Sequence, residues 1–180
     1  MIRLTAPLTK DAIRGLRAGD EVFLSGVILT ARDAAHKRIC GMIACGRRVP
    51  LNLKDAVVYY TGPTPARPGR AAGSCGPTTS SRMDEFTPAL IKLGLSAMIS
   101  KGDRSREVVA AMKRHGCVYF LAIGGIGALL STKVRSSRVV LFGDLGPEAV
   151  HKLEVKDFQL IVGIDSKGKN IYDSAKRKKR

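Results

Sequence analysis

Three short segments of the chain concentrate cations, hydroxyls and one imidazole where loops meet regular structure. The first is Thr30-Ala31-Arg32-Asp33-Ala34-Ala35-His36-Lys37-Arg38, and the second is Gly76-Pro77-Thr78-Thr79-Ser80-Ser81-Arg82-Met83-Asp84. The third is Lys101-Gly102-Asp103-Arg104-Ser105. Loops held between rigid elements are where binding and catalytic groups are aimed. Guanidinium groups grip carboxylates in bidentate fashion and an ammonium adds a point charge, so Arg32, Arg82 and Lys101 together could clamp a dianion, although each alone is a commonplace solvated charge. A helix starting near Ser80 would leave backbone N–H groups free beside the hydroxyls of Thr78, Thr79, Ser80 and Ser81. That is an anion cradle, and a single hydroxyl capping the helix accounts for the same residues equally well. Arg82 falls in the first turn of that helix, where a cation opposes the dipole and asks for an anionic partner; a buried carboxylate would answer. His36 follows Arg32 by four residues, so a helical turn would put both on one face, with a surface histidine as the plainer reading. Asp33 would orient Arg32 or cap that turn.

The elements that must position these groups are legible in outline. Residues 8–19 carry apolar positions at helical spacing before a stop at Ala18-Gly19-Asp20. Residues 21–30, EVFLSGVILT, read as a β-branched and aromatic strand with Gly26 as a bulge or point of close approach. Residues 56–60 form a second strand, and the Pro- and Gly-rich TGPTPARPGRAAGSCGP after it is loop. Met83, Phe86, Leu90 and Leu93 predict one amphipathic helix over 80–93 with Gly94 as its C-cap. A short buried strand over 95–100, a helix from an Asp103 N-cap to His115-Gly116, and a strand over 117–123 follow. Two more strands are expected at 139–142 and 155–164, around a short helical stretch at 147–151. Gly124-Gly125-Ile126-Gly127 reads as a tight turn, since the full glycine fingerprint and a Walker lysine are missing. Strands and helices mix without strict alternation, which favours a mixed α/β fold: a β-rich, curled mixed sheet with two or three helices outside it.

Composition narrows the function classes. At 180 residues with 44% apolar content, the chain is expected to form one domain over 1–173, followed by a basic flexible tail over 174–180. No apolar run reaches the roughly 18 residues that span a bilayer, and no signal-peptide core follows the N-terminus, so a soluble, cytoplasmic protein is expected. The formal net charge is +16, of which five charges sit in Lys176-Arg177-Lys178-Lys179-Arg180. The remainder of the chain has nine aromatic residues, no Trp, and no RNP, zinc-finger or basic-zipper spacing, so nucleic acid is a weak candidate partner. Cys40, Cys45, Cys75 and Cys117 show no C-x-x-C pair and no His at zinc spacing, so no self-contained metal site is expected and the thiols read as free and mostly core. Cys75, beside GPTT, could instead be reached by oxidants or by a cluster on a neighbouring chain.

In order along the chain, LTAPL, GDEVFLSG, TARDAAHKR, VVYYTGP, GPTTSSRMD, ISKGDRS, GGIGA and EVKDFQLIVGID resemble the C-terminal domain, or separate beta subunit, of class I fumarases and the related tartrate dehydratases. The resemblance runs nearly end to end. It implies a swivelling β/β/α domain and reversible hydration of fumarate to malate. It further implies a 4Fe-4S cluster held by a larger alpha subunit, and assembly with that subunit, as a dimer of heterodimers. By motif it implies that Arg32, Arg82 and Lys101 contact the substrate carboxylates, with Thr79 beside them. Thr78 would lie at the reacting carbon and His36 near it; a threonine hydroxyl acting in proton transfer needs activation by a partner group. Two departures stand out: the usual GGPAA reads GGIGA here, and Cys75 stands where a small residue is expected before GPTT. TARDAAH and KGDRS lean toward fumarase, and GPTTSSRM toward tartrate dehydratase.

Overall fold

A computed structural model describes residues 2–123 and 127–173. Its centre is a sheet of seven strands: β1 (Ile2–Ala6), β2 (Glu21–Thr30), β3 (Val57–Tyr59), β4 (Ala97–Ser100), β5 (Val118–Leu121), β6 (Val134–Leu141) and β7 (Val150–Ile164). The spatial order is β1-β2-β3-β4-β5-β7-β6, and an added β2–β7 pairing closes five strands into a barrel. β2 through β5 run parallel, and β7 returns antiparallel to both β5 and β2. The two long strands make this closure possible. β2 pairs with β1 along Val22 to Gly26 and with β3 at Leu29 and Thr30, while its other edge pairs with β7. Gly26 is the bulge: its φ is +100°, the β2–β7 register shifts there, and a Cβ would collide with the Ala6 carbonyl.

Successive strand residues face opposite sides, and here both sides are buried. One face fills the barrel with Leu24, Ile28, Tyr59, Ile99, Phe120, Phe158 and Leu160. The other packs Val58, Tyr60, Met98 and Tyr119 beneath three helices: α2 (Asp33–Ala44), α3 (Thr87–Lys92) and α4 (Arg106–His115). α1 (Lys10–Arg14) and α5 (Gly127–Ser131) are single turns elsewhere on the barrel. A mixed α/β architecture with flanking helices is therefore the observed fold.

Several boundaries differ from the pattern-based reading. The helix expected over 80–93 is two pieces, a 3-10 turn at Ser80–Met83 and then α3, because the first piece is tied to β4 rather than free to propagate. α4 is capped by Ser105, whose hydroxyl accepts from the Val108 amide, and ends on left-handed Gly116. The Asp103 side chain instead accepts from Arg104 N and Asn170 Nδ2. The stretch near Pro147 is a 3-10 segment, Gly143–Glu148, and β6 and β7 both begin earlier than their apolar runs suggest. The turn expected at 124–127 falls mostly, and the tail at 174–180 wholly, outside the described residues.

Candidate active site

Because β2, β3 and β4 are parallel, the loops leaving their carboxyl ends emerge at one end of the barrel, the usual ligand end of α/β sheets. Those loops carry the first and third segments singled out above, and the second returns beside them. Thr79 and Lys101 form a parallel bridge, and Ser80 N donates to Lys101 O at 2.9 Å. Thr78 N donates to Tyr60 O at 2.7 Å, and Thr78 O accepts from the Ser100 hydroxyl. Thr78 is thereby stitched to the ends of β3 and β4. Its side chain is half-buried, while Thr79, Arg82 and Lys101 are exposed.

Arg32 sits at the N-cap of α2 with no capping side chain of its own. Glu148 takes over that role, accepting from Ala34 N at 2.7 Å with one oxygen and lying 3.3 Å from Arg32 Nε with the other. Asp33 makes a second bridge. Its Oδ2 lies 3.2 Å from Arg32 Nε and its Oδ1 2.8 Å from Arg82 Nε. A carboxylate thus answers the Arg82 cation, although at 51% side-chain exposure the pair is half open to solvent rather than buried. Burial alone would raise the Asp33 carboxyl, but its own backbone N–H and the two arginines more than offset this and hold it below the usual range. Gly62 is required where it stands: a Cβ would meet the Pro147 carbonyl at 2.7 Å and the Arg32 side chain at 3.2 Å.

His36 departs from the surface reading. Its ring is fully buried, edge-on to Tyr60 at 5.0 Å and tilted against Phe86. Nδ1 lies 3.1 Å from the Arg32 carbonyl, an acceptor only, so Nδ1 carries the proton and donates. Nε2 has no partner. Burial pushes the imidazole down to about 4, so it is neutral at physiological pH. It meets the site through the Arg32 backbone, from beneath. The anion cradle is also corrected: the first amide of the 3-10 turn is consumed by Lys101 O, and Thr79 caps with no side-chain bond. Cys75 is buried with its thiol donating to the Gly73 carbonyl, and burial pushes it up to about 11, the setting of an unreactive interior thiol.

The residue that sequence reading passed over is Arg104. Its side chain is 0% exposed, 2.8 Å from Asp84 Oδ1 but misaligned there for a hydrogen bond, and it donates to Thr87 Oγ1 at 2.7 Å. It also lies over the rings of Tyr60 and Tyr119. Asp84 in turn accepts from Ser105 N, so the second and third segments are locked together below the surface. The available signal was Arg104 lying inside KGDRS, between Asp103 and a capping Ser105, three places from Lys101.

Chemically, the assembled surface is an open cationic platform with a half-buried hydroxyl at its edge, suited to a small polycarboxylate. A cavity of about 440 Å³ opens nearby, lined by Pro63, Pro147 and His151, but takes in none of Arg32, Thr78, Arg82 or Lys101. An iron–sulfur cluster does not fit this chain by itself: among the described residues no three His, Cys, Asp or Glu side chains gather as a metal site, and Cys75 and Cys117 are sealed in the interior. No helix among them is long and apolar enough to cross a membrane.

Comparison with known proteins bears on this arrangement. The chain is 40% identical to a putative L(+)-tartrate dehydratase subunit beta of Methanocaldococcus jannaschii, over 95% of this chain and 91% of that one. It is 39% identical to fumarate hydratase 2 of Leishmania major, over 86% of this chain and 28% of the relative. It is likewise 39% identical to the aerobic class I fumarate hydratase of Escherichia coli, over 83% of this chain. The chain thus spans nearly all of the tartrate dehydratase subunit but 28% of each of those fumarate hydratases. Residues 1–175 match the family model described as Fumarase C-terminus, and the chain belongs to that family.

Proposed function

We propose that this chain is the beta subunit of a class I fumarate hydratase, a hydro-lyase that interconverts fumarate and (S)-malate. It would be active only with an alpha subunit that carries the 4Fe-4S cluster, because this chain's own thiols are scattered and two of them are sealed in the core. The observation that carries the reading is the convergence of Arg32, Thr78, Arg82 and Lys101 at the carboxyl end of the parallel strands. In this reading Arg32 and Arg82 hold the substrate carboxylates through their guanidinium groups, and Lys101 adds a point charge. Thr79 lines the same edge. Thr78 sits at the reacting carbon, and since a threonine hydroxyl is a poor base, a partner group activates it. His36, neutral and buried, stays a candidate at the reacting end of the site, where it supports Arg32 from below. The open platform supports a site that a second subunit completes.

We further take residues 1–173 as one swivelling domain with 174–180 as a basic tail, the assembly as a dimer of heterodimers, and the location as cytoplasmic. L-tartrate is the second reading for the substrate. It is favoured by the near-complete coverage of a relative named as a tartrate dehydratase subunit beta. The test is anaerobic co-expression with candidate cluster-bearing large subunits, followed by assays of fumarate hydration and tartrate dehydration on the purified complex. Fumarate turnover is expected. Turnover of tartrate alone selects the second reading, and turnover of neither in a complex with an intact cluster overturns both.

A further inference from the structure

We infer that Asp33 is a positioning residue, whose single carboxylate sets the spacing and aim of both Arg32 and Arg82. Each of its two oxygens holds one arginine, and each contact runs through Nε: 3.2 Å to Arg32 and 2.8 Å to Arg82. An arginine held at Nε keeps its terminal Nη pair, the fork that reads a carboxylate end-on, pointing away from the holder. Asp33 therefore acts as a bracket for the two guanidinium groups, and not as an anion occupying the place where a ligand carboxylate would bind.

The bracket is itself anchored. Asp33 is the first residue of α2, and that helix start is pinned by Glu148, which bonds Ala34 N and meets Arg32 Nε at 3.3 Å. Arg32 is thus caught between two carboxylates on its Nε side, and Arg82, on a separate loop, is tied to it only through Asp33 among the contacts described here. Without Asp33, two cations on independent loops would repel each other at close range and their forks would wander. Loss of aim matters because displacements of about 1 Å in positioning groups can cost about 100-fold in rate.

The inference rests on the dicarboxylate reading of the site, and the test separates the two. Asp33→Ala and Asp33→Asn are made in the assembled complex, with Asp144→Asn, an exposed partner of Arg38, as control. In parallel, the Nε–H signals of Arg32 and Arg82 are followed by NMR in the 180-residue chain. The expected result is a fall in kcat/KM of about 30-fold or more for Asp33→Ala, with a smaller loss for Asp33→Asn, which keeps one acceptor oxygen. The melting temperature stays within about 3 °C, as for an exposed ion pair; in Asp33→Ala the protected Nε–H signal of Arg82 disappears, while that of Arg32, which Glu148 still meets, shifts. A change below about threefold, or a loss explained by unfolding, overturns the inference. Should the wild-type complex turn over no dicarboxylate, the functional reading fails and the NMR arm decides alone: loss of the Arg82 signal with a shift of the Arg32 signal upholds the bracket, and an Arg82 signal that persists or an Arg32 signal that does not move refutes it.

Discussion

Arg104 and Arg82 lie in neighbouring loops at the same end of the barrel, yet they are treated in opposite ways. Arg104 is 0% exposed and is met by Asp84, Thr87 and the faces of Tyr60 and Tyr119. Arg82 is 51% exposed, and its described ion pair is a single contact at Nε with Asp33. A buried charge must be fully answered by the protein or it unfolds the protein. A half-exposed charge held by one side can be answered by something that arrives later. The difference separates the part of the site that builds the platform from the part that works on its surface.

Breaking the buried member should have the largest effect. Arg104→Ala leaves Asp84, only 13% exposed, without its countercharge and should cost about 3 kcal/mol, lowering the melting temperature by on the order of 10 °C. Combining it with Asp84→Leu should recover much of that loss, because apolar packing can replace a buried ion pair. A melting temperature that does not move in Arg104→Ala would erase the distinction between the two arginines.

Arg82→Ala should do the reverse. Turnover of the complex should fall by at least about 100-fold, since one charged contact to substrate is worth about 3 kcal/mol. Stability should change by no more than about 1 kcal/mol, the scale of an exposed ion pair. A large stability loss with unchanged activity would make Arg82 structural.

His36 sharpens the comparison from below. Its folded value of about 4 lies under its unfolded value near 6.5, so the unfolded chain binds the extra proton between these limits. The stability it contributes is present above about pH 6.5 and is lost as the pH falls toward 4, amounting to about 2 kcal/mol between pH 7 and pH 4.5. Denaturant titrations should show that slope, and His36→Phe should remove it from the wild-type profile. The smallest effect concerns thiols: Cys45, exposed, should react with a disulfide reagent in the native chain, whereas Cys75 and Cys117 should react only on unfolding.

The sequence made the surface members of this site legible and hid the ones underneath. Arg32, Arg82 and Lys101 stand out because cations beside Gly, Pro and hydroxyls at loop positions are visible as a pattern. Glu21–Thr30 was readable to the residue because a β-branched run with one glycine has few alternative conformations. Arg104 was not, because burial of a charge depends on what four distant elements bring to it, and none of those contacts is local in sequence. His36 was misread for the same reason: four-residue spacing puts it on a helix turn, but Tyr60 and Phe86 decide that this face points inward. The split of the 80–93 helix likewise follows from the nonlocal Ser80–Lys101 bond. Barrel closure was the least visible feature, since it requires β7 to pair with both β5 and β2.

The most direct test of the central claim is a crystal structure of the assembled complex with a bound dicarboxylate. The account predicts one carboxylate within hydrogen-bonding distance of the Nη groups of Arg32 or Arg82, Lys101 Nζ turned toward the ligand, and the Thr78 hydroxyl facing its central carbons. A dicarboxylate bound elsewhere, with these side chains left in solvent, would contradict it.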